Sequence, residues 1–444
     1  MVIKVTERRP EFFHRRPSLA ILASVMKSNL PFSKSEIDDL TSRHPTPFYL
    51  YTEKEIVDNA KRLVQAFSWN KGFKEYFAVK ATPNPFLMKI LRANGLGMDA
   101  SSLAELKLSE ASGARGEEIM FTSNNTPAAE YLKARELGAI INLDDLTQID
   151  YLNEHVGIPE LISFRLNPGS ELGGSDIIGK PEEAKFGLTR EQIVAAYRQA
   201  KELGAKRFGI HTMPISNHLE IDYFQQTVRV LLKISLELRA ELGINIEFIN
   251  IGGGLGIPYR PEEKSLDVEA LSGLIQRAYQ ETLAGTGLEP PKLFMECGRF
   301  ITGPYGYLIT RAVHTKEIYR NYIGVDATMA NLMRPGMYDA YHHITVLGKE
   351  QAQNTEVYDV VGSLCENNDK FAKKRNLPRI EVGDLLVIHD AGAHGHSMGF
   401  NYNGKLRSAE LLKRPDGSVI EIRRAETYND LFATLDLARV GDFS

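Results

Sequence analysis

The sequence predicts an α/β fold, a (β/α)₈ (TIM) barrel followed by a second, mostly antiparallel β domain. Between residues 75 and 297, short apolar runs rich in β-branched and aromatic residues alternate with longer amphipathic stretches, which is the rhythm of strands and helices in turn. The first five runs start roughly 21 residues apart, which leaves room for one helix and two turns. After residue 299, glycine, asparagine and aspartate separate the apolar runs, and this favours antiparallel strands.

Eight apolar runs favour a closed barrel, and a doubly wound open sheet is the alternative that periodicity alone leaves open. Helical periodicity is clear in two of the intervening segments, residues 127–137 and 190–203. The predicted barrel strands are residues 76–79, 96–99, 119–122, 139–142, 161–166, 208–211, 246–251 and 292–296.

The change of rhythm after residue 299 marks a domain boundary. We assign residues 46–300 to the barrel, and residues 1–45 and 301–444 to a β domain, a β-barrel or sandwich, that completes the functional site. Residues 48–52 are also strand-like, and we expect them to pair with the β domain because eight strands already fill the barrel. The other predicted strands of this domain are residues 307–313, 356–361, 384–388 and 419–423.

The composition indicates a globular protein whose partner is a small molecule. Of the 444 residues, 43% are hydrophobic and 25% are charged, which is enough apolar material for a large core. The formal net charge of −4 gives no reason to expect binding to nucleic acid or to a membrane surface. No apolar run approaches the ~20 residues of a membrane span, and the basic N-terminus lacks the apolar segment of a secretory signal. Cys297 and Cys365 are too few for a disulfide framework, so we expect a cytoplasmic protein.

A lysine at the end of the first barrel strand is the first candidate for chemistry. Lys80 follows the apolar run Tyr-Phe-Ala-Val and precedes Ala-Thr-Pro-Asn-Pro, which ends the strand and puts the amine at the mouth of the barrel. Active sites of such barrels lie at this face. A lone lysine is usually a solvated surface charge, whereas burial at this position is expected to lower the pKa of the amine and make it a nucleophile.

Two further signals follow the seventh and eighth predicted strands. The run Ile-Asn-Ile-Gly-Gly-Gly-Leu-Gly contains Gly253 and Gly254, and consecutive glycines let backbone N–H groups approach an anion closely. Taken alone, these glycines fit a tight strand-to-helix turn equally well. Glu296, Gly298 and Arg299 end the eighth strand. Phosphate sites in these barrels are built by the loops after strands seven and eight, so the two signals support each other.

Six strings occur in order along the chain: YFAVKATPNP, INIGGGLG, ECGRF, RPGMYDAYHH, SLCENND and DAGAHGHSMGFNYN. Together they resemble the fold-type III pyridoxal-phosphate (PLP) decarboxylases, and among these the diaminopimelate decarboxylases in particular. The resemblance implies pyridoxal 5′-phosphate as the cofactor, a PLP-binding barrel joined to a β domain, and no metal. It also implies an obligate homodimer in which each active site is completed by the partner subunit.

The resemblance assigns cofactor roles to particular residues. Lys80 matches the lysine that joins the cofactor as a Schiff base. Glu296 matches the carboxylate that faces the pyridine nitrogen, where a nearby negative charge raises the pKa of that nitrogen. The positions that match phosphate-binding residues are Ser216, Gly253, Gly254, Gly298 and Arg299.

The resemblance also assigns residues to the substrate and to proton transfer. Arg334 and Tyr338 match residues that hold the distal end of the substrate, with Arg299 also within reach, and the forked donors of a guanidinium suit a distal carboxylate. Cys365 matches the thiol that delivers a proton to the α-carbon from the partner subunit, and Glu366 matches a contact to the distal amine. The alternatives are a surface cation for Arg334 and a buried apolar thiol for Cys365.

Two cofactor positions depart from the family pattern. Met213 stands where the family has a histidine that stacks on the cofactor ring, and its thioether can still pack on an aromatic face. His394 stands where the family has a tyrosine that contacts phosphate and substrate, and its imidazole can donate a hydrogen bond there. Asn367 and Asn368 replace the commoner Ser-Gly. These departures leave the decarboxylase class intact and leave the identity of the substrate more open.

The function predicted from the resemblance is decarboxylation of meso-2,6-diaminopimelate to L-lysine and CO₂, the last step of lysine biosynthesis. The alternative is a decarboxylase of the same fold for carboxynorspermidine, ornithine, arginine or a carrier-bound glutamyl group. A catalytically dead regulator is a third hypothesis, against which the presence of Lys80, Glu296 and Cys365 argues. Residues 169–185, with Gly-Gly-Ser and paired acidic residues, are a candidate lid.

Overall fold

A computed structural model describes residues 30–173 and 180–442. Eight parallel strands close into a barrel in chain order, and the closure joins the first strand to the eighth through the partners Lys74 and Phe294. The barrel is therefore confirmed, and the open sheet is excluded. The barrel strands are Lys74–Ala78, Gly97–Ala100, Ile119–Thr122, Ile140–Leu143, Leu161–Arg165, Arg207–His211, Ile246–Asn250 and Lys292–Met295.

The helices between the barrel strands begin and end at residues that suit those positions. The helix predicted at 127–137 ends before Gly138, which adopts the left-handed φ of +72° that terminates many helices. The helix predicted at 190–203 begins after Thr189, whose side chain forms a capping box with Gln192. The helices are Lys34–Arg43, Glu53–Ala66, Pro85–Ala93, Leu103–Ala111, Ala128–Leu137, Thr147–Val156, Arg190–Glu202, Ile221–Leu242, Val268–Leu283 and the short Arg299–Thr302, Arg334–Tyr338 and Tyr428–Leu431.

The inside of the barrel consists of an apolar layer below a polar layer. Six large apolar side chains from six strands form a closed cluster: Tyr76, Met120, Ile140, Leu161, Phe248 and Phe294. Because side chains alternate along a strand, the residues two positions further along also face inward, one layer nearer the carboxyl ends. In five of these six strands that next residue is polar: Thr122, Asn142, Ser163, Asn250 and Glu296.

The second domain is a nine-stranded, mostly antiparallel sheet. Phe48–Thr52 pairs with a strand on each side, antiparallel to Gly306–Glu317 and parallel to Ala409–Lys413, which confirms its predicted place. The sheet therefore takes one strand from within the range 46–300. The remaining strands are Asn321–Val325, Ile344–Val346, Glu356–Val361, Lys370–Leu377, Leu385–Ile388 and Val419–Arg423.

The helix Lys34–Arg43 packs on the β domain through Ile37 and Leu40, which share a buried cluster with Phe48. Residues 1–29 of the predicted β domain lie outside the described residues, as do residues 174–179 of the candidate lid. In the described ranges, no helix combines the length and the apolarity that crossing a membrane requires.

Candidate active site

A cavity of about 570 Å³ opens at the carboxyl ends of the barrel strands, beside the β domain. Its walls come from loops after several strands and from two segments of the β domain, which is the arrangement expected of an active site in this fold. The cavity brings together every predicted site residue except two. These lining residues are Lys80, Met213, Ser216, Gly253, Gly254, Glu296, Gly298, Arg299, Arg334, Tyr338 and His394.

The amine of Lys80 projects into this cavity from the short turn Val79–Ala81 that ends the first strand. Its side chain is 52% exposed, whereas that of Asp99, whose carboxylate lies 3.3 Å from the amine, is 1% exposed. The negative charge of Asp99 raises the pKa of Lys80, and this outweighs the opposing effect of burial. Our expectation that burial lowers this pKa was therefore wrong, because it took no account of the carboxylate on the next strand.

Asp99 has its own pKa raised to about 7, first by burial and then by the charge of Glu296, while Lys80 lowers it. We therefore expect Asp99→Asn to lower the pKa of Lys80, because the charge that stabilises the ammonium form is lost. The pKa of Lys80 can be measured in the cofactor-free protein from the rate at which the amine reacts with an amine-specific reagent. Peptide mass spectrometry follows this rate as a function of pH. Asp58→Asn, on the exposed face of the helix Glu53–Ala66, is the control. An unchanged profile in Asp99→Asn would contradict the assignment.

Glu296 lies at the floor of the cavity in the polar layer of the barrel. Its carboxylate accepts a hydrogen bond from the Asn250 amide at 2.8 Å and lies 3.2 Å from Nε2 of His211. Burial alone would raise the pKa of Glu296, but His211, Lys80 and the amide outweigh it and lower the pKa to about 2. The cavity floor therefore carries a fixed negative charge at neutral pH.

The glycines after strands seven and eight let their loops pack closely, the first against the loop after strand eight and the second against the turn after strand one. A Cβ at Gly253 would lie 2.4 Å from the backbone oxygen of Glu296, and one at Gly298 would lie 2.6 Å from the Cβ of Ala81. This wall of the cavity is consequently bare backbone. Beside it, Ser216 lies 3.4 Å from a guanidinium nitrogen of Arg299. Backbone, hydroxyl and guanidinium donors in one corner suit an anion such as phosphate.

The two residues that depart from the family pattern both line the cavity. The sulfur of Met213 accepts a hydrogen bond from the N–H of Gly253 at 3.1 Å, so the thioether lies against the glycine loop. His394 adopts a φ of +54° and donates its backbone N–H to the oxygen of Ala81 at 2.9 Å. Burial, followed by the positive charges of Arg299 and two other cations, holds the pKa of His394 well below its usual value. The imidazole is therefore neutral.

Arg334 is 4% exposed and is held in place inside the cavity wall, which excludes the alternative of a surface cation. A guanidinium nitrogen lies 2.8 Å from Nε2 of His342, and the guanidinium carbon lies 4.3 Å from the centre of the Tyr259 ring. Burial lowers the pKa of Arg334 to about 10, which leaves it charged at neutral pH. Tyr338 lies at the rim and is 45% exposed.

Several residues of the site were missed from sequence. Arg165, the last residue of the fifth strand, lines the cavity, approaches Asp144 at 3.4 Å and donates to the backbone oxygen of Met213 at 3.0 Å. Its guanidinium carbon lies 4.4 Å from the centre of the Phe186 ring. Its place at the carboxyl end of a predicted strand was the available signal, as it was for Asp99.

Cys365 and Glu366 are not part of this cavity within one chain. Both are exposed, and the backbone N–H of Cys365 bonds to the side-chain oxygen of Asn403 at 2.7 Å. The exposure of Cys365 rules out the alternative of a buried apolar thiol. Cys297 is the buried cysteine, next to Glu296, and burial raises the pKa of its thiol well above the usual range.

Comparison with known proteins identifies the family. Residues 53–303 match the family model described as pyridoxal-dependent decarboxylase, pyridoxal binding domain. Protein TabA of Pseudomonas amygdali pv. tabaci is 44% identical over 394 residues, which are 89% of this chain and 92% of that protein. Diaminopimelate decarboxylase of Methanothermobacter thermautotrophicus is 38% identical, with 91% and 95% covered. The crystal structure of diaminopimelate decarboxylase from M. jannaschii in complex with L-lysine superposes with a TM-score of 0.83 at 32% identity, with 90% and 94% covered.

The cavity has the chemical groups that pyridoxal phosphate requires. Lys80 offers an amine for the aldehyde, Glu296 offers an ionised carboxylate for the ring nitrogen, and Arg299 stands beside the glycine wall for the phosphate. The chain belongs to the pyridoxal-dependent decarboxylases, and its cofactor is pyridoxal 5′-phosphate.

Proposed function

We propose that this enzyme removes one carboxyl group from meso-2,6-diaminopimelate and releases L-lysine and CO₂. The observation that carries the proposal is Arg334, a buried guanidinium in the wall of the cavity that also holds Lys80. A diacid substrate has a second carboxylate for this cation, whereas ornithine, arginine and lysine have none. The diaminopimelate decarboxylases among the relatives support the same substrate.

The cofactor supplies a conjugated ring that takes up the electron pair released when CO₂ leaves. We assign Lys80 to hold the cofactor covalently and to yield its place to the substrate amine. Glu296 keeps a proton on the ring nitrogen because its own carboxylate stays ionised. Ser216, Gly254 and Arg299 would hold the phosphate at the glycine wall, and Met213 would pack against the ring.

The distal end of the substrate is assigned to the cavity wall that the β domain provides. The fork of Arg334 fits both oxygens of a carboxylate, and its contact with His342 fixes the direction of that fork. Tyr338 and neutral His394 offer further hydrogen bonds from the same wall. A neutral imidazole adds no positive charge, so the selectivity for a diacid rests on the guanidinium groups.

We assign the proton donor to Cys365 of a second copy of the chain, with Glu366 contacting the distal amine. The thiol is exposed and lies outside the cavity of its own chain. A homodimer in which this loop enters the partner's cavity would complete both sites at once.

A decarboxylase for carboxynorspermidine, ornithine, arginine or a carrier-bound glutamyl group is the second candidate. Its support is specific: His394 departs from the family pattern at a position that contacts the substrate, and Asn367–Asn368 replaces the commoner Ser-Gly beside Glu366. The relative with 44% identity also has a name, Protein TabA, that states no reaction. CO₂ release from a panel of these amino acids, ranked by kcat/KM, separates the candidates. Higher kcat/KM with any of them than with meso-diaminopimelate would contradict our proposal.

Replacing Arg334 tests the substrate assignment directly. We expect Arg334→Met to lower kcat/KM for meso-diaminopimelate by about a hundredfold, because a charge-assisted bidentate contact is worth a few kcal/mol. Arg334→Lys, which keeps the charge and loses the fork, should fall between this variant and the wild type. Arg320→Met is the control, since Arg320 pairs with Asp359 in the sheet, outside the cavity. An equal loss in both methionine variants would speak against a role for Arg334.

A further inference from the structure

Glu296 lies at the end of a chain of polar side chains that crosses the barrel from the fourth strand. The amide nitrogen of Asn142 lies 3.3 Å from Nδ1 of His211, and Nε2 of His211 lies 3.2 Å from one oxygen of Glu296. The other oxygen accepts from Asn250 at 2.8 Å. The four residues are 7% exposed or less, so water does not substitute freely for these contacts.

The donor and acceptor types of these side chains set the direction of the hydrogen bonds between them. With the amide nitrogen of Asn142 facing it, Nδ1 of a neutral His211 ring accepts a hydrogen bond, and the ring then carries its proton on Nε2. The Nε2–H group then donates a hydrogen bond to Glu296, whose ionised carboxylate accepts it. Asn142 thus selects the tautomer of His211 that serves Glu296, although Asn142 itself does not line the cavity.

We propose that His211, oriented by Asn142, is the positioning residue that holds Glu296 ionised and aimed at the ring nitrogen of the cofactor. The inference rests on the role proposed above for Glu296 and is independent of which amino acid is the substrate. Removing the donor would leave a buried carboxylate with one hydrogen bond fewer, and the proton between the ring nitrogen and Glu296 would move towards the carboxylate. A ring nitrogen that holds its proton less firmly would make the ring a weaker acceptor of electrons.

Other charged and titratable groups also act on Glu296, and they are held constant in the test below. Lys80 attracts the carboxylate, while Asp99 and Glu75 repel it, and Arg165 contributes a positive charge. The remaining titratable neighbours are Tyr76 and Cys297. Of the titratable groups in the described residues, His211 lies within hydrogen-bond distance of the Glu296 carboxylate, and the second donor is the amide of Asn250, which does not titrate.

The test uses the dimeric or monomeric holoenzyme as purified, loaded with pyridoxal phosphate labelled with ¹⁵N in the ring. The ring ¹⁵N chemical shift reports where the proton lies, and it does not depend on turnover. We expect the shift of His211→Leu to move towards that of an unprotonated pyridine. His211→Gln should restore the wild-type shift, because its amide nitrogen takes the place of Nε2. In kinetics, His211→Leu should lose about tenfold to a hundredfold in kcat with little change in KM, as for other residues that orient a catalytic group.

Glu296→Gln separates the two proposals. If Glu296→Gln moves the ring ¹⁵N shift and His211→Leu does not, the positioning role of His211 is wrong and that of Glu296 stands. If neither variant moves it, the role of Glu296 is itself wrong. Should His211→Leu fail to fold, Asn142→Ala leaves the imidazole in place and should move the shift in the same direction by a smaller amount. A wild-type shift in Asn142→Ala would contradict the tautomer argument.

Discussion

Lys80→Ala is expected to lose both the visible absorption of the lysine-bound cofactor and at least about a thousandfold in turnover, the scale of losing a covalent catalytic group. The amine is the group of the cavity that can bond to an aldehyde, and Asp99 holds it in place at 3.3 Å. Absorption spectra of the purified protein and steady-state CO₂ release measure the two effects.

Two further variants show whether the covalent bond or the positive charge is responsible. Lys80→Arg keeps a cation beside the buried Asp99 and cannot bond to the cofactor, so it should be as inactive as Lys80→Ala. Lys71→Ala, on an exposed turn, should behave as the wild type. Retention of the visible band in Lys80→Ala would remove this residue from its proposed role.

Cys365→Ala should lower kcat by about a hundredfold, which is typical of a lost general acid, while the cofactor stays bound. The cofactor should stay bound because Cys365 is not among the residues that are assigned to hold it. Ser363→Ala, two residues earlier on the same exposed segment, is the control. Wild-type turnover in Cys365→Ala would show that the proton comes from another group.

Mixed dimers test whether that proton crosses between subunits. A Lys80→Ala chain combined with a Cys365→Ala chain contains one site that has both groups intact, provided that each site takes its cysteine from the partner. The mixture should then be more active than either variant alone. No recovery in verified mixed dimers would mean that each chain is self-contained.

The fold could be predicted because its signals are local. The alternation of apolar runs and helical stretches locates all eight barrel strands, and the turn residues after residue 299 predict the antiparallel sheet. Because eight other strands already fill the barrel, the strand Phe48–Thr52 could also be assigned correctly to the β domain. These features depend on residues close together in sequence or on a count of strands.

The electrostatics of the site could not be predicted, because they depend on groups far apart in sequence. Lys80 and Asp99 are separated by one whole helix, and their contact reverses the expected direction of the lysine pKa. Arg334 has its direction set by His342, which follows the short helix Arg334–Tyr338. His211 ends the sixth barrel strand and Asn142 lies within the fourth, and only barrel closure brings them to Glu296.

Reduction of the purified holoenzyme with borohydride, followed by peptide mass spectrometry, shows directly whether Lys80 carries the cofactor. Borohydride fixes the cofactor on whichever amine carries it. We expect a pyridoxyl group on the peptide that contains Lys80 and on no other. A pyridoxyl group on a different lysine, or on none, would contradict it.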